Sequence, residues 1–170
     1  MPILSNSIPI HWNTELDCEN LASTLGTGLR THLQTCPIIH IWLVGDLGTG
    51  KTTFVRYLLR SLGFLGKVKS PTYNLCEPYQ LSIDNHLYDF HHFDLYRMNS
   101  PTEWEEAGFK DILTNAGVCL IEWPEIAQGT LPTPDIIFTL SYDSESSRTV
   151  TISAGSDSGQ LLLKGITNQE

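Results

Sequence analysis

Ile38-Ile39-His40-Ile41-Trp42-Leu43-Val44, followed at once by Gly45-Asp46-Leu47-Gly48-Thr49-Gly50-Lys51-Thr52-Thr53, is the stretch whose reading decides the fold. The first seven residues are almost continuously apolar, as in a strand buried on both faces. From Thr52 to Leu62 the apolar residues take helical spacing, and Gly63 ends the run. A buried strand, a glycine-rich turn and an amphipathic helix are the context in which Gly-x-x-x-x-Gly-Lys-Thr marks a phosphate site. Gly45, Gly48 and Gly50 let the backbone turn so that successive N–H groups face phosphate oxygens. The helix opening at Lys51 adds its positive end. Lys51 is expected on the β- and γ-phosphates and the Thr52 hydroxyl on magnesium. With Gly48, Thr49, Gly50 and Thr53 they form the expected cradle for ATP and Mg2+.

Such a site needs an acid at the end of a neighbouring strand, to hold the metal or its water and to align the attacking water. Glu122 directly follows the apolar run Val118–Ile121, and Asp94 follows Tyr88–Phe93. Spacing favours a functional role for Glu122 and leaves Asp94 open between catalysis and a simple cap.

Further out, the pattern places a strand or extended arm over residues 1–12 and a helix over about 15–34, with Asn13 or Thr14 placed to cap that helix. Val68 to Tyr79 reads as extended, and Asp84-Asn85 as the turn of a hairpin leading into a strand over 86–94. Pro101 reads as the first position of a helix capped by Asn99 or Ser100. The alternation from Asp135 to Ile152 reads as an antiparallel hairpin. Alternation also sets His86, Tyr88, Phe90 and His92 on one face of their strand, too spread for a single metal; His92 is expected to help position the phosphate-side loop. Trp12 and Trp104 read as packing residues, and Arg97 as a structural anchor ahead of an arginine finger. The expected fold is α/β of the P-loop NTPase type: one domain over 1–170, a mixed, mainly parallel sheet flanked by helices, and a β-rich C-terminal edge.

Composition narrows the function classes. Nineteen acidic residues against ten basic ones give a formal net charge of −9, which argues against a chain that grips nucleic acid by itself. Four cysteines lack CxxC or zinc-type spacing and read as structural thiols, Cys36 and Cys119 in or beside apolar runs. The N-terminus lacks a signal-peptide pattern, and no apolar run nears the roughly 18 residues of a membrane span, so the cytoplasm is the expected compartment.

Beyond the phosphate loop, Val68–Tyr79 (VKSPTYNLCEPY), His92–Arg97 (HFDLYR), Glu105–Leu113 (EEAGFKDIL) and Val118–Glu125 (VCLIEWPE) follow in order, closed by Leu131-Pro132. Together with Gly45–Thr53 (GDLGTGKTT), they resemble the bacterial TsaE (YjeE) ATPases, the ATPase component of the machinery that makes threonylcarbamoyladenosine at position 37 of tRNA. The resemblance implies Lys51 as the phosphate lysine and Thr52 with Glu122 as the magnesium ligands. It implies Asp94 as essential for turnover, Ser70-Pro71-Thr72 as a switch-like segment, and Trp123 near the nucleotide. It also implies TsaB- and TsaD-type partners, with tRNA engaged through them. Thr49 stands where many members carry Ala and reads as a surface choice within the loop; the hairpin before Asp94 looks longer than usual. Two other classes of function use the same loop: a nucleotide-gated binding module with incidental turnover, and a small-molecule kinase. Few basic residues lie beyond the loop to form a kinase lid.

Overall fold

The computed structural model describes residues 7–71 and 73–168; residues 1–6 of the expected strand or arm lie outside them. Seven strands form one sheet in the order β1-β7-β6-β2-β5-β4-β3. They are β1 (Ser7–Trp12), β2 (Ile38–Val44), β3 (Cys76–Ile83), β4 (His86–Asp94), β5 (Gly117–Glu122), β6 (Ile136–Tyr142) and β7 (Arg148–Ala154). The central strands β6, β2, β5 and β4 run parallel, and the pairings outside them (β1 with β7, β7 with β6, β3 with β4) are antiparallel. The parallel centre is where the sequence has near-continuous apolar runs, and every residue of β5 is buried. Each outer strand carries a proline, Pro9 in β1 and Pro78 in β3, where a missing N–H costs no central ladder bond.

The helices are α1 (Glu15–His32), α2 (Lys51–Ser61), α3 (Glu103–Glu106), α4 (Phe109–Thr114) and α5 (Asp157–Thr167). Helices α1, α2 and α5 pack over the sheet face that presents Ile39, Ile41, Leu43, Phe90, Val118 and Leu120. Trp104 of α3 and Leu113 of α4 close a second, smaller core with Phe93, Cys119 and Ile121 on the opposite face. Thr14 caps α1, and the Asp17 carboxylate accepts the N–H groups of Asn13 and Thr14 at 2.8 and 3.0 Å. Those bonds hold the Asp17 carboxyl below the usual range.

In four places the structure departs from or adds to the expected elements. The helix expected from Pro101 is two short ones, because the backbone turns left-handed at Gly108 and separates α3 from α4. The extended reading of Val68–Tyr79 holds as a strand only from Cys76. The C-terminal hairpin is present as β6 and β7, but β1 pairs outside it and forms the edge. Helix α5 was not foreseen; Gly159 and Gly165 weaken its helical signal. At Gly159 the helix runs tight against the residue before β6, since a Cβ there would collide with the Asp135 carbonyl oxygen. Asp84 and Asn85 do form the β3–β4 turn, both at positive φ (51° and 67°), the geometry that favours these two residue types. Among the described residues no helix is long and apolar enough to cross a membrane.

Candidate nucleotide site

The carboxyl ends of three adjacent parallel strands bring the sequence-predicted residues together. Register sets Leu43 of β2 beside Glu122 of β5, and Glu122 beside Asp94 of β4. The phosphate loop leaves β2 directly beyond this point. Ligand crevices in open α/β sheets lie at this end of the strands.

Gly50 caps α2 at φ 108°, a conformation costly for any side-chain-bearing residue. The first helical bond into this turn is donated by Phe54 to the Gly50 carbonyl. Among the described residues, none accepts the N–H groups of Lys51, Thr52 or Thr53. Three converging unmet donors at the positive end of a helix form an anion site. The Lys51 ammonium is folded back onto the loop, donating to the carbonyls of Gly45 and Asp46 at 2.5 and 2.8 Å. Burial lowers its pKa from the ordinary lysine value, against the opposing pull of Glu122, Asp94, Glu125 and Asp46. Thr49 is not a surface residue: it is buried, and its hydroxyl donates to the Asp46 carbonyl at 2.8 Å. Its side chain therefore braces the loop from within.

The Thr52 hydroxyl donates to Glu122 Oε1 at 2.8 Å. His92 Nε2 lies 2.9 Å from the same oxygen, and both His92 and Glu122 are buried, at 0% and 2% exposed. Asp94 accepts the Ser70 hydroxyl at 2.7 Å and the Tyr96 N–H at 3.0 Å, so the acid is tied to the segment expected to switch. Thr72, the other switch residue, lies outside the described residues. Trp123 has φ 58° and ψ 46°, an uncommon conformation for a bulky residue. Strain of this kind clusters at functional sites. Its ring packs 4.5 Å from the Lys51 ammonium and 4.9 Å from the Tyr96 ring. Arg97 places its guanidinium over the Tyr73 ring at 5.6 Å, consistent with an anchor.

A cleft of about 280 Å³ adjoins Gly48–Gly50 and Thr53, with Trp12, Glu15, Cys18 and Arg148 among its other lining residues. Trp12 stacks on Phe54, as a packing residue should, yet it also lines this cleft. Arg148 donates to the Thr49 carbonyl at 3.2 Å and lies over Tyr142, whose hydroxyl donates to the Leu47 carbonyl at 3.0 Å. The β6–β7 hairpin thus props the loop from outside. Sequence reasoning assigned no residue to this wall, which comes from two segments far apart in the chain with no motif of their own.

Fold and loop geometry together define an α/β protein of the P-loop NTPase fold. The family model described as "Threonylcarbamoyl adenosine biosynthesis protein TsaE" matches residues 12–150. The chain belongs to the TsaE family, whose role is tRNA threonylcarbamoyladenosine biosynthesis. A protein of Haemophilus influenzae named tRNA threonylcarbamoyladenosine biosynthesis protein TsaE is 40% identical over 136 residues, covering 80% of this chain and 83% of that one. Proteins of the same name from Rickettsia felis and Bacillus subtilis are 35% and 29% identical over 151 and 128 residues. They cover 88% and 75% of this chain, and 82% and 77% of their own lengths are matched. The crystal structure of YdiB from Bacillus subtilis superposes with a TM-score of 0.74 at 21% identity, covering 96% of this chain and 95% of that one, a likeness of fold.

Proposed function

We propose that this protein is a magnesium-dependent ATPase that serves threonylcarbamoyl modification of tRNA adenosine through a TsaB–TsaD-type partner complex. The observation that carries the reading is the 2.8 Å bond from Thr52 to the buried Glu122, at the start of α2 where three N–H groups have no acceptor among the described residues. Because the Thr52 hydrogen goes to Glu122, the hydroxyl oxygen keeps its lone pairs for a cation. A hydroxyl and a carboxylate suit magnesium, a hard cation usually held by one or two protein oxygens plus phosphate and water. Thr52 and Glu122 would hold it, and bound there it would neutralise charge developing on the β- and γ-phosphate oxygens.

The chain's own groups do the rest. Phosphate oxygens replace the Gly45 and Asp46 carbonyls as acceptors for Lys51, and the loop N–H groups stabilise the growing negative charge. Asp94, at the end of the next strand, orients the attacking water. Its bond to Ser70 lets the state of the γ-phosphate reach the switch segment, which a partner can then read. Trp123 packs on the phosphate lysine and senses the same change. The nucleoside lies in the cleft lined by Trp12, Glu15 and Arg148, the open space next to the loop.

Calorimetric titration of ATP with and without magnesium tests the phosphate site. Wild-type protein should bind more tightly with magnesium, and Lys51→Ala should lose affinity by roughly 10–100-fold, the loss of a charge-assisted hydrogen bond. Wild-type affinity in Lys51→Ala would remove the loop from the binding site.

A further inference from the structure

His92 sits two residues before Asp94 on β4, so both side chains share the sheet face that looks onto α2. The β4–β5 register sets Asp94 beside Glu122 and His92 beside Leu120. His92 is 0% exposed, and its Nε2 lies 2.9 Å from Glu122 Oε1. Its Nδ1 is also buried and has no hydrogen-bond partner among the described residues. With the hydrogen on Nε2, the unmet Nδ1 is an acceptor, the less costly kind of group to leave alone.

The arrangement on Glu122 is asymmetric. Oε1 accepts two donors, one from α2 and one from β4, whereas Oε2 has no donor among the described residues. The last torsion of a glutamate is broad, and a single donor would leave the carboxylate free to turn. Two donors from different elements fix its plane. The oxygen left over is then the one available to a cation.

We propose that His92 is a positioning residue: it donates Nε2–H to Glu122 Oε1 and thereby holds Oε2 ready for the divalent cation that accompanies the nucleotide. Partners of this kind, one bond removed from the metal, typically change metal affinity by 10–100-fold when lost. The inference rests on Glu122 as a magnesium ligand, made under Proposed function. It requires no change of charge on the imidazole, only a donor at the Nε2 position.

Glutamine can put its amide nitrogen near the Nε2 position, asparagine is too short to do so, and leucine fills space without a donor. The experiment measures binding of a methylanthraniloyl-labelled ATP to wild type, His92→Gln, His92→Asn and His92→Leu, first in EDTA and then along a magnesium titration. Affinity in EDTA should be alike in all folded variants. The magnesium concentration at half-effect should rise roughly 10–100-fold in His92→Leu and His92→Asn and stay near wild type in His92→Gln. Wild-type magnesium dependence in His92→Leu, or equal impairment in His92→Gln and His92→Asn, would overturn the inference. Should His92→Leu fail to fold, the Gln and Asn pair decides alone. If wild type itself binds without regard to magnesium, the metal assignment of Glu122 falls and takes His92 with it. A magnesium-dependent wild type with an indifferent His92→Leu removes only the role of His92.

Discussion

At the scale of single residues, the site is built on two carboxylates with separate surroundings. Glu122 is enclosed and meets a hydroxyl and an imidazole, a setting for holding a cation in place. Asp94 is half-buried and faces Ser70, Tyr96 and an open cavity of about 200 Å³, a setting that admits water. The account therefore separates their effects. Asp94→Ala should keep magnesium-dependent ATP binding within a few-fold of wild type and lower turnover by roughly 10²-fold or more, the range for a group that positions or takes a proton. Paired calorimetry and phosphate-release assays on that variant check it, and a loss of binding equal to the loss of turnover would place Asp94 in the phosphate cradle. The meeting of Lys51 and Thr52 with Glu122 was legible in the sequence, because a phosphate loop places its residues by local spacing and the acid ends an apolar strand run. The Thr49 side chain was misread because a single residue inside a loop carries no periodic signal of burial.

Elements were legible where their pattern is local. Strand β2, the loop and α2 follow from one apolar run and one helical period, and β5 from another such run. The β3–β4 hairpin follows from Asp84-Asn85 between two alternating segments. Elements held by distant partners were not legible. Helix α5 depends on Asp135, whose carboxylate accepts the Ser156 hydroxyl at 2.6 Å and the His40 backbone N–H at 2.7 Å. Ser156 in turn accepts the Gly159 N–H, capping the helix. One carboxylate thus ties β2, the start of β6 and α5. Asp135→Ala should destabilise the fold by about 1–3 kcal/mol by leaving a partly buried backbone donor unmet. Urea unfolding checks this, and an unchanged midpoint with unchanged slope would show that water replaces the carboxylate at no cost. The wall of the cleft was illegible for the same reason: Trp12 and Arg148 meet only because β1 pairs with β7.

At the scale of the whole molecule, the acidic balance of −9 suits docking onto a more basic assembly and gives little hold on tRNA directly. The Ser70–Asp94 bond ties the segment expected to switch to Asp94, so on the proposed function a partner that moves that segment would alter hydrolysis. The central claim is that nucleotide turnover at this P-loop is coupled to the threonylcarbamoylation partners. Its most direct test is the rate of phosphate release from MgATP, measured with this protein alone, then with a purified TsaB–TsaD pair and tRNA, with Lys51→Ala and Asp94→Ala run in parallel. The account predicts slow release alone, clear acceleration in the mixture, and silence in both variants under both conditions. A rate that the partners leave unchanged, or acceleration that persists in Lys51→Ala, would contradict it.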